Sequence, residues 1–151
     1  MFKVAKSFLN GFARKVLDLD DTVKPTSHLD LFEDYLGKFS FNTNTNSIEI
    51  FLKELKKKHL VDDIVVSSLN GSSIASTNGH AISSAVTGAA LYNYVQSEIP
   101  KSQSVIIKAD NWHMIIPYNG KLYIVRASSD LSTIELKALA KEIDKFLVKS
   151  S

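Results

Sequence analysis

The feature that most constrains this chain is a run of small side chains inside one helix. Ala81, Ser83, Ser84, Ala85, Gly88, Ala89 and Ala90 crowd the first three turns of a helix expected over residues 81–97. Glycine in a helix interior costs about 1 kcal/mol relative to alanine, a cost offset where a neighbour must approach the backbone closely. Ser84 and Gly88, like Ala85 and Ala89, stand one above the other at i, i+4 and form a thin-walled stripe. Two neighbours fit it: the chain's own sheet, or the same helix of a second copy. Strand-like runs precede the helix (64–77) and follow it (104–126), so the chain reads as a sheet built around this helix.

At 151 residues the chain is long enough for one well-filled core plus an extension. A hydrophobic content of 44% and a charged content of 23% are those of a soluble globular protein. Net charge is +2, from 18 basic and 16 acidic residues, too balanced to imply nucleic-acid binding, and none is expected. Cysteine is absent, which excludes disulfides, thiolate catalysis and cysteine-ligated zinc and agrees with a cytoplasmic setting. No apolar run approaches the roughly 20 residues of a spanning helix. Lys3, Lys6, Asn10 and Arg14 interrupt what a signal peptide would keep apolar.

Residues 1–46 read as a helical N-terminal extension and linker. Phe8, Leu9, Phe12, Ala13, Val16 and Leu17 recur at helical spacing within 2–19, with Lys3, Lys6, Arg14 and Lys15 making that segment basic. Such a helix docks on a core or a partner, or lies on an anionic membrane surface. Pro25 breaks the chain, Ser27 opens a short helix over 28–36, and Asn42 to Asn46 form a polar low-complexity linker.

The main domain is expected at 47–149. Asn46 is placed to cap a helix over 47–59, with Glu49 in capping-box spacing. Ile64-Val65-Val66, the hairpin signal Asn70-Gly71 and Ser72 to Thr77 supply two strands. After the small-residue helix come Val105-Ile106-Ile107, Trp112 to Tyr118, the turn Asn119-Gly120, and Leu122 to Arg126, three strands in a meander. Leu122/Ile124 and Tyr123/Val125 put apolar groups on both faces of the last strand, as a central strand covered on both sides requires. Ser132 with Glu135 opens a closing helix striped by Leu136, Leu139, Ala140, Ile143, Phe146 and Leu147.

No enzymatic constellation emerges, and no metal or cofactor is expected. His28, His59, His80 and His113 have no metal-ligand spacing and read as surface or turn residues. Asp62-Asp63 falls where a helix hands over to a strand and reads as a solvated loop. The glycine- and serine-containing segment 71–79 has no Gly-Lys-Ser/Thr. Trp112 and Tyr118 read as packing or interface aromatics.

The order helix, two strands, helix, three strands, helix, with "VDDIVVSSLNGSSIAST" and the closing "GKLYIVRASSDLSTIELKALAKEIDKFL", resembles the Roadblock family of dynein light chains. Its prokaryotic relatives regulate Ras-like GTPases. The resemblance implies a profilin-like α+β sandwich: a five-stranded antiparallel sheet in order 2-1-5-4-3, the central helix on one face and two terminal helices on the other. It implies a homodimer through the central helices and third strands, here Ser84, Ala85, Gly88, Ala89, Val105, Ile106 and Ile107. It further implies a non-catalytic scaffold or regulator whose partner is a small Ras-like GTPase. Two other readings remain: a sensory domain holding a small ligand between sheet and helix, and a membrane-surface adaptor using residues 2–17.

Overall fold

The computed structural model describes residues 44–78 and 81–150. The helices expected over 2–19 and 28–36, His28, and the turn at Gly79-His80 lie outside the described residues.

Helix α1 (Ile48–Lys58) starts one residue later than the Asn46 cap predicts. Ser47 is the cap: its Oγ accepts the Ile50 N–H at 3.5 Å and donates to Glu49 Oε2 at 2.7 Å. Ser47 directly precedes Ile48, and serine caps as well as asparagine, so Glu49 turns to the Ser47 hydroxyl. The other end closes as a Schellman motif, with Val61 N–H donating to Lys56 O at 3.1 Å and Leu60 N–H to Lys57 O at 3.3 Å. Leu60 takes φ +54° there, a left-handed conformation that a side chain disfavours. Its side chain is largely exposed, so little packing offsets the strain. Leu60→Gly is expected to raise stability by about 0.5–1 kcal/mol in urea unfolding.

Strands β1 (Asp63–Ser68) and β2 (Ser73–Ser76) form a hairpin in which Gly71 N–H bonds Ser68 O and Ser68 N–H bonds Ser72 O. Only Gly71 of that turn has positive φ, +89°, the pattern of a type I turn closed by a left-handed glycine. Helix α2 (Ala81–Glu98) follows, then β3 (Val105–Lys108), β4 (Trp112–Tyr118), β5 (Lys121–Ala127) and helix α3 (Thr133–Ser150). Asn119 and Gly120 both take positive φ between β4 and β5, as a two-residue hairpin turn requires. Ser132 and Glu135 close the expected capping box, with Ser132 N–H to Glu135 Oε2 at 2.7 Å and Glu135 N–H to Ser132 Oγ at 3.2 Å.

All pairings are antiparallel and the order is β2-β1-β5-β4-β3, as the resemblance implies. Period-two alternation divides the sheet into two faces. Ile64, Val66, Met114, Ile116, Tyr123 and Val125 meet α1 and α3, whose Phe51, Leu52, Leu55, Leu136, Leu139 and Ile143 complete the larger core. Phe51 stacks on Phe146 at 4.3 Å between centroids, joining the two helices. Trp112 and Tyr118 pack against the same core. On the other face, Val105, Ile115, Leu122 and Ile124 meet Ala89, Tyr92 and Val95 of α2. The central strand is covered on both sides, as the Leu122/Tyr123 alternation predicts.

Candidate functional site

The small residues of α2 serve two close approaches within this chain. Gly88 lies over β5, where an added Cβ would meet Ile124 Cδ1 at 2.4 Å and Cγ1 at 2.8 Å. On the neighbouring flank, the Gly71 turn comes up against Val86, Ala85 and Ala89: a Cβ at Gly71 would stand 3.2 Å from the Val86 Cα and 3.4 Å from the Ala89 Cβ. Asn93 Nδ2 fastens the same hairpin by donating to Leu69 O at 3.1 Å. The helix is thus held over the β1–β2 side and β5, which leaves two surfaces beside it.

The first is its outward face. Ile82, Val86, Ala90 and Tyr94 recur every four residues and are all exposed, Ile82 by 74% and Tyr94 by 65%. No charged side chain occurs between residues 81 and 97. A solvated helix face normally carries charge, and this apolar row carries none. β3 forms one edge of the sheet, with Ile107 (39% exposed) on the α2 side and Ile106 (41% exposed) on the opposite side, level with Met114.

The second is a groove between α2 and the sheet, of about 190 Å³. Val65, Ile115, Ile124 and Leu91 give it an apolar lining, and Ser83, Ser84 and Thr87 line it with hydroxyl groups. Asp63, Arg126 and His113 are lateral neighbours on β1, β5 and β4 and form a polar margin. Asp63 does not pair with Arg126; its carboxylate takes the Thr77 hydroxyl instead. Among the described residues no ion pair engages the Arg126 guanidinium. The groove can therefore hold a small anion or an apolar side chain from a partner. Among the described residues no three metal-ligating side chains cluster.

The sequence matches no protein-family model and no curated protein. Solved structures do resemble the chain. MglB of Myxococcus xanthus superposes with a TM-score of 0.51 at 17% identity, over 68% of this chain and 92% of that one. The Roadblock/LC7 domain from Streptomyces avermitilis gives a TM-score of 0.47 at 16% identity, over 58% of this chain and 86% of that one. The fold is the Roadblock fold.

Within that fold, the expected dimer residues divide. Ile106 and Ile107 are exposed on the edge and Ser84 is half-buried beside the groove. Ala85, Gly88, Ala89 and Val105 are buried by this chain's own sheet and hairpin. The close packing of Gly88 on Ile124 and of Ala85 and Ala89 on the Gly71 turn accounts for much of the small-residue stripe within one chain, while Ile82, Val86, Ala90 and Tyr94 stay exposed. Side-chain size alone says that something is close, and not which side it is on. A usable sequence signal for the outward row was the absence of charge from 81 to 97.

The histidines and carboxylates also sort out. His59 is no surface residue: its ring is 5% exposed at the end of α1, with Nε2 3.8 Å from Glu142 Oε2 of α3. Neither ring nitrogen has a hydrogen-bond partner. The cause is helix packing, since α1 ends against α3. His113 is exposed at the groove and His80 lies outside the described residues. Asp62 is exposed, whereas Asp63 opens β1 and belongs to the groove margin rather than to a loop. Sequence spacing could not find the Asp63–Arg126–His113 row, because strand register brings it together.

Proposed function

We propose that the chain is a non-catalytic regulator or scaffold that pairs with a second copy of itself along β3 and α2 and receives a small Ras-like GTPase on the α2 face. The observation that carries this reading is the charge-free row Ile82, Val86, Ala90 and Tyr94 beside an exposed apolar edge strand. Water contact with both is unfavourable, and covering them stabilises an assembly. Two β3 edges related by a two-fold axis pair antiparallel, which satisfies their free backbone groups and removes an aggregation-prone edge. The Roadblock resemblance supports the class of partner, as an analogy of fold.

The test is light scattering of the full chain, followed by capture of small GTP-binding proteins from the source organism and assay of their GTP hydrolysis. The unmodified protein is expected at twice its chain mass of 16.7 kDa. Ile106→Glu and Ile107→Glu together should give a folded monomer, because both side chains are exposed in one chain. Ile82→Asp with Tyr94→Asp should abolish GTPase capture. A monomeric unmodified protein at high concentration defeats the dimer, and absence of any captured GTPase defeats the partner.

The groove favours a second reading, a sensor for a small anion. Its mark is the Arg126 guanidinium left without an ion pair beside His113 and the hydroxyl groups of α2. Release of an anionic metabolite from natively purified protein, lost in Arg126→Gln, would put this reading in place of the first if no GTPase is captured.

A further inference from the structure

Every acidic side chain of α3 is engaged within the molecule. Glu135 closes the capping box on Ser132. Both Glu142 oxygens accept from the Lys58 ammonium at 3.1 Å. Asp144 accepts from Asn119 and Lys121 at 2.9 Å each and from the Tyr123 hydroxyl at 3.2 Å. Glu142 and Asp144 are each paired with a lysine, so from Lys137 to Lys149 the unpaired charge on α3 is of one sign. Lys137, Lys141, Lys145 and Lys149 follow at four-residue steps and all are exposed. Each step advances about 6 Å along the axis and about 40° around it, so the row winds across the outer side of a helix whose inner side is core. Lys137 reaches the neutral Gln103 Oε1 at 3.4 Å. The other three ammonium groups enter no ion pair among the described residues. Ile134 and Val148, each 63% exposed, share this outer surface near its two ends.

We propose that the outer face of α3 docks the protein on an anionic lipid bilayer. Charge complementarity identifies the class of surface, and two features select a bilayer among polyanions. The face is the convex side of a helix, with flexible point charges and no fixed donor geometry, which suits a diffuse plane of headgroups rather than one extended peptide. Nucleic-acid surfaces combine arginine forks with aromatic stacking platforms. This face has neither, and presents instead Ile134 and Val148, aliphatic groups that gain by entering the acyl boundary while the lysines stay at headgroup level. Because α3 and α2 cover opposite faces of the sheet, docking through α3 leaves the α2 face clear. The two surfaces work together without competing.

The experiment is vesicle sedimentation of the full chain. It compares phosphatidylcholine vesicles with vesicles containing about one third phosphatidylserine, at low salt and at about 0.5 M salt. Binding is expected to the anionic vesicles alone and is expected to vanish at high salt. Each lysine near such a surface contributes about fivefold. A fourfold variant carrying Lys137→Gln, Lys141→Gln, Lys145→Gln and Lys149→Gln should lose more than roughly twentyfold in affinity. The matching Lys→Arg variant should bind like the unmodified protein, which controls for folding. The basic N-terminal stretch is separated by Lys3→Gln, Lys6→Gln, Arg14→Gln and Lys15→Gln in a further variant, which should keep binding that still depends on the α3 lysines. No binding to anionic vesicles, salt-insensitive binding to neutral ones, or binding untouched by the α3 glutamine variant overturns the proposal. So does loss of binding in the Lys→Arg variant, or capture of single-stranded RNA or an acidic peptide with none of vesicles.

Discussion

Gly88→Leu is expected to destabilise the domain by about 3 kcal/mol, the upper part of the range for overpacking a filled core. The thermal midpoint should fall by about 12–24 °C, from about 4–8 °C per kcal/mol in a domain near this size. The cause is local: even a methyl at Gly88 lands 2.4 Å from Ile124 Cδ1 and 2.8 Å from its Cγ1, and leucine brings three further carbons. Helix α2 cannot simply rise, because its other flank rests on the Gly71 turn. Gly88→Ala should cost far less, within about 1 kcal/mol. The clash there is with the free end of the Ile124 side chain, which can rotate toward the groove, and alanine recovers about 1 kcal/mol of helix propensity. Adding Ile124→Ala to Gly88→Leu should restore at least about 1 kcal/mol beyond additivity. An unchanged melting curve with lost self-association would instead place Gly88 against a second copy.

This pair also shows how far the sequence could be read. The small residues at 84–90 announced a close approach, and the alternation of Leu122 with Tyr123 announced a doubly covered strand, because both are properties of one segment. The strand order followed from resemblance rather than from spacing. What stayed hidden depends on register and crossing. Ile124 lies 36 positions from Gly88 in the chain, and only the way α2 crosses β5 sets them in contact. Arg126 reads as the end of a central strand, and the pairing of β1, β5 and β4 makes it the middle of a polar row. His59 looks like a helix-end surface residue until α3 packs over it. In α3 only the apolar stripe stood out from the sequence; the row Lys137, Lys141, Lys145 and Lys149 gained meaning only once Glu142 and Asp144 were seen paired elsewhere.

One of those acids supports the second large effect. Asp144 is a buried carboxylate that ties the β4–β5 turn to α3 through Asn119, Lys121 and Tyr123. Asp144→Ala is expected to cost about 2–3 kcal/mol, since it leaves the buried Tyr123 hydroxyl and the half-buried Lys121 ammonium without their acceptor. Asp144→Asn preserves shape and one acceptor, and should cost about half as much. Burial alone would push the Asp144 carboxyl up, but the hydrogen bonds from Lys121 and Asn119, the Lys121 charge and the Tyr123 hydroxyl outweigh it and hold it below its ordinary value. The same contact works oppositely on Tyr123, whose phenol is pushed up by burial and by the adjacent carboxylate. A carboxyl lowered by folding contributes stability that is fully present above the ordinary carboxylate range and is lost as pH falls through the folded value. Glu142 shares the direction: burial raises it, and the nearby His59 ring and Lys58 ammonium more than reverse that. Urea unfolding of the unmodified protein should therefore weaken steeply below about pH 4. Asp144→Asn should weaken less over the same interval, so that the two stability curves converge toward acid. Glu142→Gln serves as the companion, removing its own share of the slope while leaving the Asp144 share. Parallel curves for the unmodified protein and Asp144→Asn from pH 7 down to pH 2.5 would sink the assignment of an ionised Asp144 as the fastening of this turn.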